Sequence, residues 1–311
     1  HGTTTAVYHS SRHLDATTEL ASACRRHGQR ALIGRVAMDH TTGTPDWYRD
    51  PDATAAVELS AASIDSIRDL DPDGALVTPI VTPRFIPACS DDGLAGLGAL
   101  AAARGVATQT HCSESDWQHA AEFERFGTSD TTALDSFGLV REGTVLAHAT
   151  HLDDRDRATI ASRGAGIAHC PLSNAHFSER PFAARRAIVA GIPCGLGTDI
   201  AGGPSPSLIG QCEQAAVASR QLAAATGDPN DAIDATTAFW MATRGGAIAA
   251  GLDVGLIGVG RPFDAVAVRT DDPAGVGAGP DEDPETVFER VVRRAGRADI
   301  VAVWVAGRRV V

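Results

Sequence analysis

The chain has 311 residues, 43% of them hydrophobic, which is enough for one large α/β domain with a sizeable core and argues against global disorder. Its 27 basic residues face 39 acidic ones, a net charge of −12 with no positive stripe, which excludes nucleic acid and an anionic membrane surface as expected partners. Every one of the basic residues is Arg, and the absence of Lys removes Walker-type nucleotide binding, Schiff-base chemistry and a carboxylated Lys bridging two metals.

The six cysteines (24, 89, 112, 170, 194, 212) form no C-x-x-C and read as reduced, mostly buried thiols of a cytoplasmic protein. No apolar run approaches the roughly 18 residues of a membrane span, and no signal peptide is recognised. The first residue is His1, and Thr3 to Tyr8 already reads as core strand, as in a chain that begins inside a domain.

Short β-prone runs alternate with Ala-rich helical stretches along the chain. The predicted strands are Thr3 to Tyr8, Arg30 to Met38, Leu76 to Pro83, Ala107 to His111, Thr144 to His148, Gly164 to His169 and Cys194 to Thr198. Between them, helical spacing covers Leu14 to His27, Ala53 to Leu70, Gly93 to Arg104, Trp117 to Phe126, Asp153 to Arg163 and Pro181 to Ala190. Further helical zones run from Leu208 to Thr226 and from Ala235 to Gly251.

This alternation predicts a parallel sheet with helical crossovers. Seven strand–helix units are one short of the closed eight-stranded barrel, so the expected fold is a TIM-type (β/α)8 barrel lacking its first strand. An open doubly wound sheet is the alternative; polar residues recurring after strand upon strand favour a barrel mouth. From Arg261 the pattern changes: Phe263 to Arg269 and Ile300 to Val311 alternate like antiparallel strands, the second turning at Ala306-Gly307. Between them, Asp271 to Glu285 reads as an acidic surface loop. The expected division is a barrel over residues 1–258 and a small β appendage over 259–311.

Four segments close predicted strands: Thr82-Pro83-Arg84-Phe85, Thr110-His111-Cys112-Ser113-Glu114, Leu146-Ala147-His148 and Gly197-Thr198-Asp199. A strand-end His such as His111 can bind zinc through an imidazole nitrogen, and Glu114 could move protons in the same cavity. Equally, Ser113 and Glu114 could cap the next helix. Asp199 could ligate a metal or form an Asx turn before the Gly-Gly loop. His148 taken alone fits a hydrogen-bonded core residue, and His169 a structural or supporting role. His9 and His13, four apart, suit a helix face, while His27, His40, His119 and His151 read as surface residues. Arg84 beside Phe85 suits a flat heterocycle carrying a carbonyl, or else a rim salt bridge. Joint occurrence at four strand ends, one and two strand–helix units apart, points to metal-assisted hydrolysis.

The segments His111-Cys-Ser-Glu-Ser-Asp, Ala168-His-Cys-Pro-Leu-Ser-Asn174 and Gly195-Leu-Gly-Thr-Asp199-Ile-Ala-Gly-Gly resemble the amidohydrolase superfamily. Thr82-Pro-Arg84-Phe85 narrows the resemblance to its guanine deaminases, over essentially the whole chain. The resemblance implies a distorted barrel, a β-sandwich remnant at the C-terminus and one zinc ion. It implies His111 and Asp199 as zinc ligands, Asp199 also orienting the attacking water, and Glu114 as the proton relay. His148 would hold the developing tetrahedral centre; Arg84 and Phe85, with His111 and Glu114, would bind the purine. The implied reaction is hydrolytic deamination of guanine at C2 to xanthine and ammonia, in a homodimer. The family's His-x-His on strand one, supplying two further ligands, has no counterpart here, so those ligands are expected upstream and this piece is expected to be inactive or nearly so.

Two other readings compete. One is an aminohydrolase of the same superfamily acting on a pterin or triazine; the other is a non-catalytic relative. A cytidine-deaminase type lacks its His-x-Glu and Pro-Cys-x-x-Cys here, and no Gly-x-Ser-x-Gly occurs.

Overall fold

The predicted alternation appears as strand–helix units in chain order, in a computed structural model that describes residues 1–178 and 180–311. The strands are β1 (Thr5–His9), β2 (Arg30–Gly34), β3 (Val36–Ala37), β4 (Val77–Pro83), β5 (Ala107–Cys112), β6 (Val145–His148), β7 (Gly166–His169) and β8 (Cys194–Leu196). The helices between them are α1 (Leu14–His27), α2 (Ala53–Leu70), α3 (Asp91–Arg104), α4 (Asp116–Phe126), α5 (Asp130–Ser136), α6 (Asp154–Arg163), α7 (Pro171–Phe177) and α8 (Ala184–Val189). Then follow α9 (Leu208–Thr226), α10 (Ala235–Trp240), α11 (Gly246–Ala249), β9 (Ala265–Val268), α12 (Pro284–Arg294), β10 (Ile300–Val305) and β11 (Arg308–Arg309). None of the described helices is long and apolar enough to cross a membrane.

The chain divides into two compact units, Thr5–Ala165 and Gly166–Val311 with His1–Thr4. In the first, β1, β2, β4, β5 and β6 pair side by side, all parallel, and β3 adds to the end of β4. Their register sets Thr110 opposite Leu146, His111 opposite Ala147 and Cys112 opposite His148, so the C-terminal ends of β5 and β6 lie level. Helices α2 and α3 bury Ala56, Ile64, Leu97 and Ala101 against Val81 and Val106, while α1 sets Ala21 and Cys24 against Ile33 and Val77. These are the 3.6-residue stripes of amphipathic helices lying on a sheet.

In the second unit β7 pairs parallel with β8. Helix α9, Ala-rich and weakly charged, buries Cys212, Ala215, Ala216 and Ser219. The C-terminal strands form a three-stranded antiparallel sheet in the order β11-β10-β9. The Ala306-Gly307 turn is as expected, with φ of 48° and 79°. The fold is thus of the α/β strand–helix class with a small antiparallel sheet.

Three helices escape the sequence reading. Helix α12 falls between the predicted strands, and α5 and α7 are only seven residues each, too short to show a period. The predicted strand Arg30 to Met38 is broken at Arg35. Gly34 there lies so close to β4 that a Cβ would sit 1.8 Å from Thr82 Oγ1. The Arg35 side chain is fully buried and ion-pairs with the equally buried Asp50. Asp50 also accepts the Met38 amide at 3.1 Å.

Removing one partner of such a pair strands the other charge in the interior. Asp50→Ala is therefore expected to lower the unfolding free energy by about 3–5 kcal/mol, read from the urea midpoint; a loss below about 1 kcal/mol would mean Arg35 finds water or another acceptor.

Candidate active site

Three strand ends of the first unit bring polar side chains together. His111 is the penultimate residue of β5 and His148 the last of β6, and their rings stack at 5.5 Å between centroids. One ring nitrogen of each lies within 4.8 Å of the other, a spacing open to a shared ion or water. His111 Nδ1 donates to the Arg84 carbonyl at 2.6 Å. That bond sets the tautomer: Nδ1 carries the proton and Nε2 the lone pair that a metal can take.

Glu114 follows β5. Its carboxylate lies 3.7 Å from His148 Nε2. It does not cap α4, because Ser115 does so, accepting the Gln118 amide at 3.2 Å. Of the two sequence alternatives for Glu114, the capping one is therefore removed and the carboxylate is left to the cluster. Backbone strain marks the same place: Ser113, His148 and Ala149 are left-handed, with φ of 47°, 72° and 54°. Such residues cost of order 1–3 kcal/mol each and concentrate where a chain must aim side chains.

Arg84 and Phe85 follow β4. The guanidinium carbon sits 5.1 Å from the Phe85 ring centre, and Nη1 approaches the Met38 sulfur at 3.6 Å. Arg84 forms no ion pair among the described residues, which removes the rim salt bridge as its explanation. Trp117 extends the aromatic wall, its ring 6.3 Å from that of Phe85.

His9 joins this cluster too. It ends β1, not a helix face, and its ring lies 4.5 Å from that of His111. Burial, then the neighbouring His111 and His148, push the imidazole well below its ordinary pKa, and Nε2 has no hydrogen-bond partner among the described residues. His151 is likewise not a surface residue: its side chain is 4% exposed, bonded to Asp116 and the Ser113 carbonyl.

The second unit holds Asp199. It follows β8 in a left-handed conformation with φ of 50° and accepts the Ser173 hydroxyl at 2.5 Å. A Cβ on Gly202 would lie 2.6 Å from the Asp199 carboxylate, so the Gly-Gly loop wraps it closely. His169, at the end of β7, is buried against Phe182 and meets the Asn174 amide at 3.5 Å, in keeping with a supporting role.

The sequence pattern of the Amidohydrolase family matches residues 1–310. The chain belongs to the amidohydrolase family. It is 38% identical to a probable guanine deaminase of Schizosaccharomyces pombe over 271 residues, 86% of this chain and 51% of that protein. The chain thus spans about half the length of that curated relative. Among solved structures, guanine deaminase from C. acetobutylicum with bound guanine superposes with a TM-score of 0.88 at 27% identity, over 99% of this chain and 72% of that one. An adenosine deaminase from Xanthomonas campestris with bound zinc gives 0.81 at 26% identity, over 99% and 66%. The fold class is accordingly the distorted (β/α) barrel of amidohydrolases.

In this amidohydrolase the sequence located Arg84, Phe85, His111, Glu114 and His148, which the first unit gathers at three neighbouring strand ends. It missed His9 and His151. The signal for His9 was present, since Thr3 to Tyr8 was already read as a strand and His9 is its next residue.

The left-handed pair at the end of β6 is open to a direct check. Glycine adopts φ near 54° without strain, so Ala149→Gly is expected to be neutral or to stabilise by up to about 1 kcal/mol, whereas Ala149→Val loses roughly 2 kcal/mol or more. Equal thermal midpoints for the two variants would contradict a strained turn.

Proposed function

We propose that the protein to which this chain belongs is a guanine deaminase, hydrolysing guanine to xanthine and ammonia. The observation that carries this reading is Arg84. It is a guanidinium without an ion-pair partner among the described residues, held over Phe85 and joined through its own carbonyl to His111. Its planar fork of donors matches the carbonyl and ring-nitrogen edge of a purine, and Phe85 offers the stacking face. The guanine deaminase relatives support the same assignment.

The donor set fits a single zinc ion. His111 presents Nε2 with its tautomer already fixed, and Asp199 offers a carboxylate of the kind zinc accepts. We assign these two as ligands of the ion. Zinc, when bound, supplies Lewis acidity that makes water a nucleophile at neutral pH.

The residues of this chain do the rest. Glu114 accepts a proton from the attacking water and delivers it to the ring nitrogen beside C2; it then takes the remaining proton from the new C2 hydroxyl and gives it to the departing amine, leaving the C2 carbonyl. The bond formed is oxygen to C2 and the bond broken is C2 to the exocyclic nitrogen, which leaves as ammonia. His148, 3.7 Å from Glu114, hydrogen-bonds the tetrahedral centre and holds the carboxylate in line. Asp199 orients the water, its carboxylate steadied by Ser173. The site is assigned to a cytoplasmic enzyme, in keeping with its free cysteines, and to a homodimer.

Glu114→Gln keeps shape and removes the base, so turnover of guanine is expected to fall by about 10²–10⁴-fold with zinc content unchanged. Arg84→Ala is expected to raise KM for guanine and to cost at least about 10-fold in kcat/KM, again at full zinc occupancy. Zinc bound, with guanine ignored by the unsubstituted protein, would turn the assignment toward another amino-heterocycle.

A further inference from the structure

Helix α4 is inverted. Its buried positions are Gln118 and Glu122, while Trp117 and Phe123 are more than half exposed. Facing Gln118 and Glu122 is Asp130, the first residue of α5 and wholly buried. Two carboxyl groups thus share one interior pocket.

The Gln118 amide joins them. Its Nε2 donates to Glu122 Oε1 at 2.9 Å and to Asp130 Oδ2 at 3.1 Å, and its Oε1 accepts the Glu114 amide at 3.3 Å. Asp130 Oδ2 also accepts the Ser113 amide at 2.5 Å. Two buried oxygens then remain without a donor, Glu122 Oε2 and Asp130 Oδ1. A single proton between the two carboxyls satisfies both.

Only the Gln118 amide and the charge of Arg125 favour an ionised Glu122, and burial together with Asp130 outweighs them. Arg125, on the same helix, commits its guanidinium to the Ile86 and Cys89 carbonyls and to Asp91. The remaining titratable neighbours are His119, 3.6 Å from Asp130, and Cys112, whose thiol burial and the two acids push well up. Two buried anions bridged by one amide cannot both stay charged cheaply. Asp130 is the better anion: it begins α5, where the helix dipole favours negative charge, and it accepts two backbone or amide donors.

We propose that Glu122 is a neutral carboxylic acid donating its proton to Asp130, and that this acid pair, through Gln118, is the positioning element for Glu114. The pair grips the amides of Ser113 and Glu114, the left-handed turn from which the Glu114 side chain leaves the strand. On the other side of that turn, Thr150 bonds the Ser113 carbonyl through its amide at 3.1 Å and its hydroxyl at 2.5 Å. Glu122 and Asp130 are positioning residues, and the catalytic part of the proposal rests on the function assigned above.

Burial first, then the hydrogen bond and charge of Asp130, push the Glu122 carboxyl up to about 11 from an ordinary 4.5. A native pKa raised in this way contributes stability that is complete below the ordinary value and is lost as pH rises toward the native one. Glu122→Gln keeps the donor and cannot ionise. Relative to the unsubstituted protein, its urea stability should therefore be flat below about pH 4 and gain steadily above it. A carbonyl stretch of a protonated carboxylic acid, seen by infrared at neutral pH, should vanish in the same variant. A flat or opposite difference in stability, or no lost band, overturns the neutral acid.

Positioning is tested separately by Glu122→Ala. Hydrogen exchange at the Ser113 and Glu114 amides should quicken in that variant and return in Glu122→Gln. In guanine turnover by the zinc-loaded protein, Glu122→Ala should lose about 10–100-fold in kcat with KM within about threefold, and Glu122→Gln should recover it. Unchanged exchange in Glu122→Ala, or a loss confined to KM, overturns the positioning role. Absence of guanine turnover in the zinc-loaded, unsubstituted protein would remove the assigned function while leaving the exchange, stability and infrared results to decide the acid pair.

Discussion

One carbonyl ties the site together. The Arg84 oxygen accepts the His111 amide at 3.1 Å, the Thr110 hydroxyl at 3.3 Å and His111 Nδ1 at 2.6 Å. It belongs to the residue whose side chain faces the proposed substrate, and it fixes the ring proposed to face the metal. Parallel pairing of β4 and β5 puts it there, since the residues after Pro83 and before Cys112 remain in hydrogen-bonding register. Had the strands been antiparallel, their functional ends would lie at opposite edges. The chemistry therefore depends on topology before it depends on any one side chain.

Much of this was legible in the chain. Apolar runs that end on His, Asp or Thr-Pro-Arg identify both the strands and the edge that carries the candidate site, because a parallel sheet buries everything except its ends. Arg84, His111, Glu114 and His148 were found that way. What one sequence does not reveal is direction and partnership. That Glu114 does not cap the next helix was shown only by Ser115 taking the capping role. Whether Arg84 was ion-paired was answered by the structure, in which it pairs with no carboxylate among the described residues.

The omissions have physical causes. Helices α5 and α7 span two turns each, less than a period needs to declare itself. Helix α12 follows a stretch rich in Pro, Gly and acid that read as loop up to the helix's first turn, and the remainder was left unassigned. Helix α4 is the most instructive, since its spacing is helical but its inward face is polar. A reading that assigns apolar residues to the core places Trp117 and Phe123 inside and Gln118 and Glu122 outside, the reverse of what is found. His151 was placed on the surface by the same assumption.

The left-handed turns at Ser113, His148 and Ala149 carry a consequence for how such a site is lost. Serine and alanine tolerate that backbone at modest cost, and branched side chains do not. A single valine or isoleucine at 113 or 149 would leave every acid, imidazole and guanidinium in the chain unaltered and still spoil their aim. The vulnerability of the site to mutation is therefore wider than its list of reactive groups, and it includes small residues that touch no substrate at all.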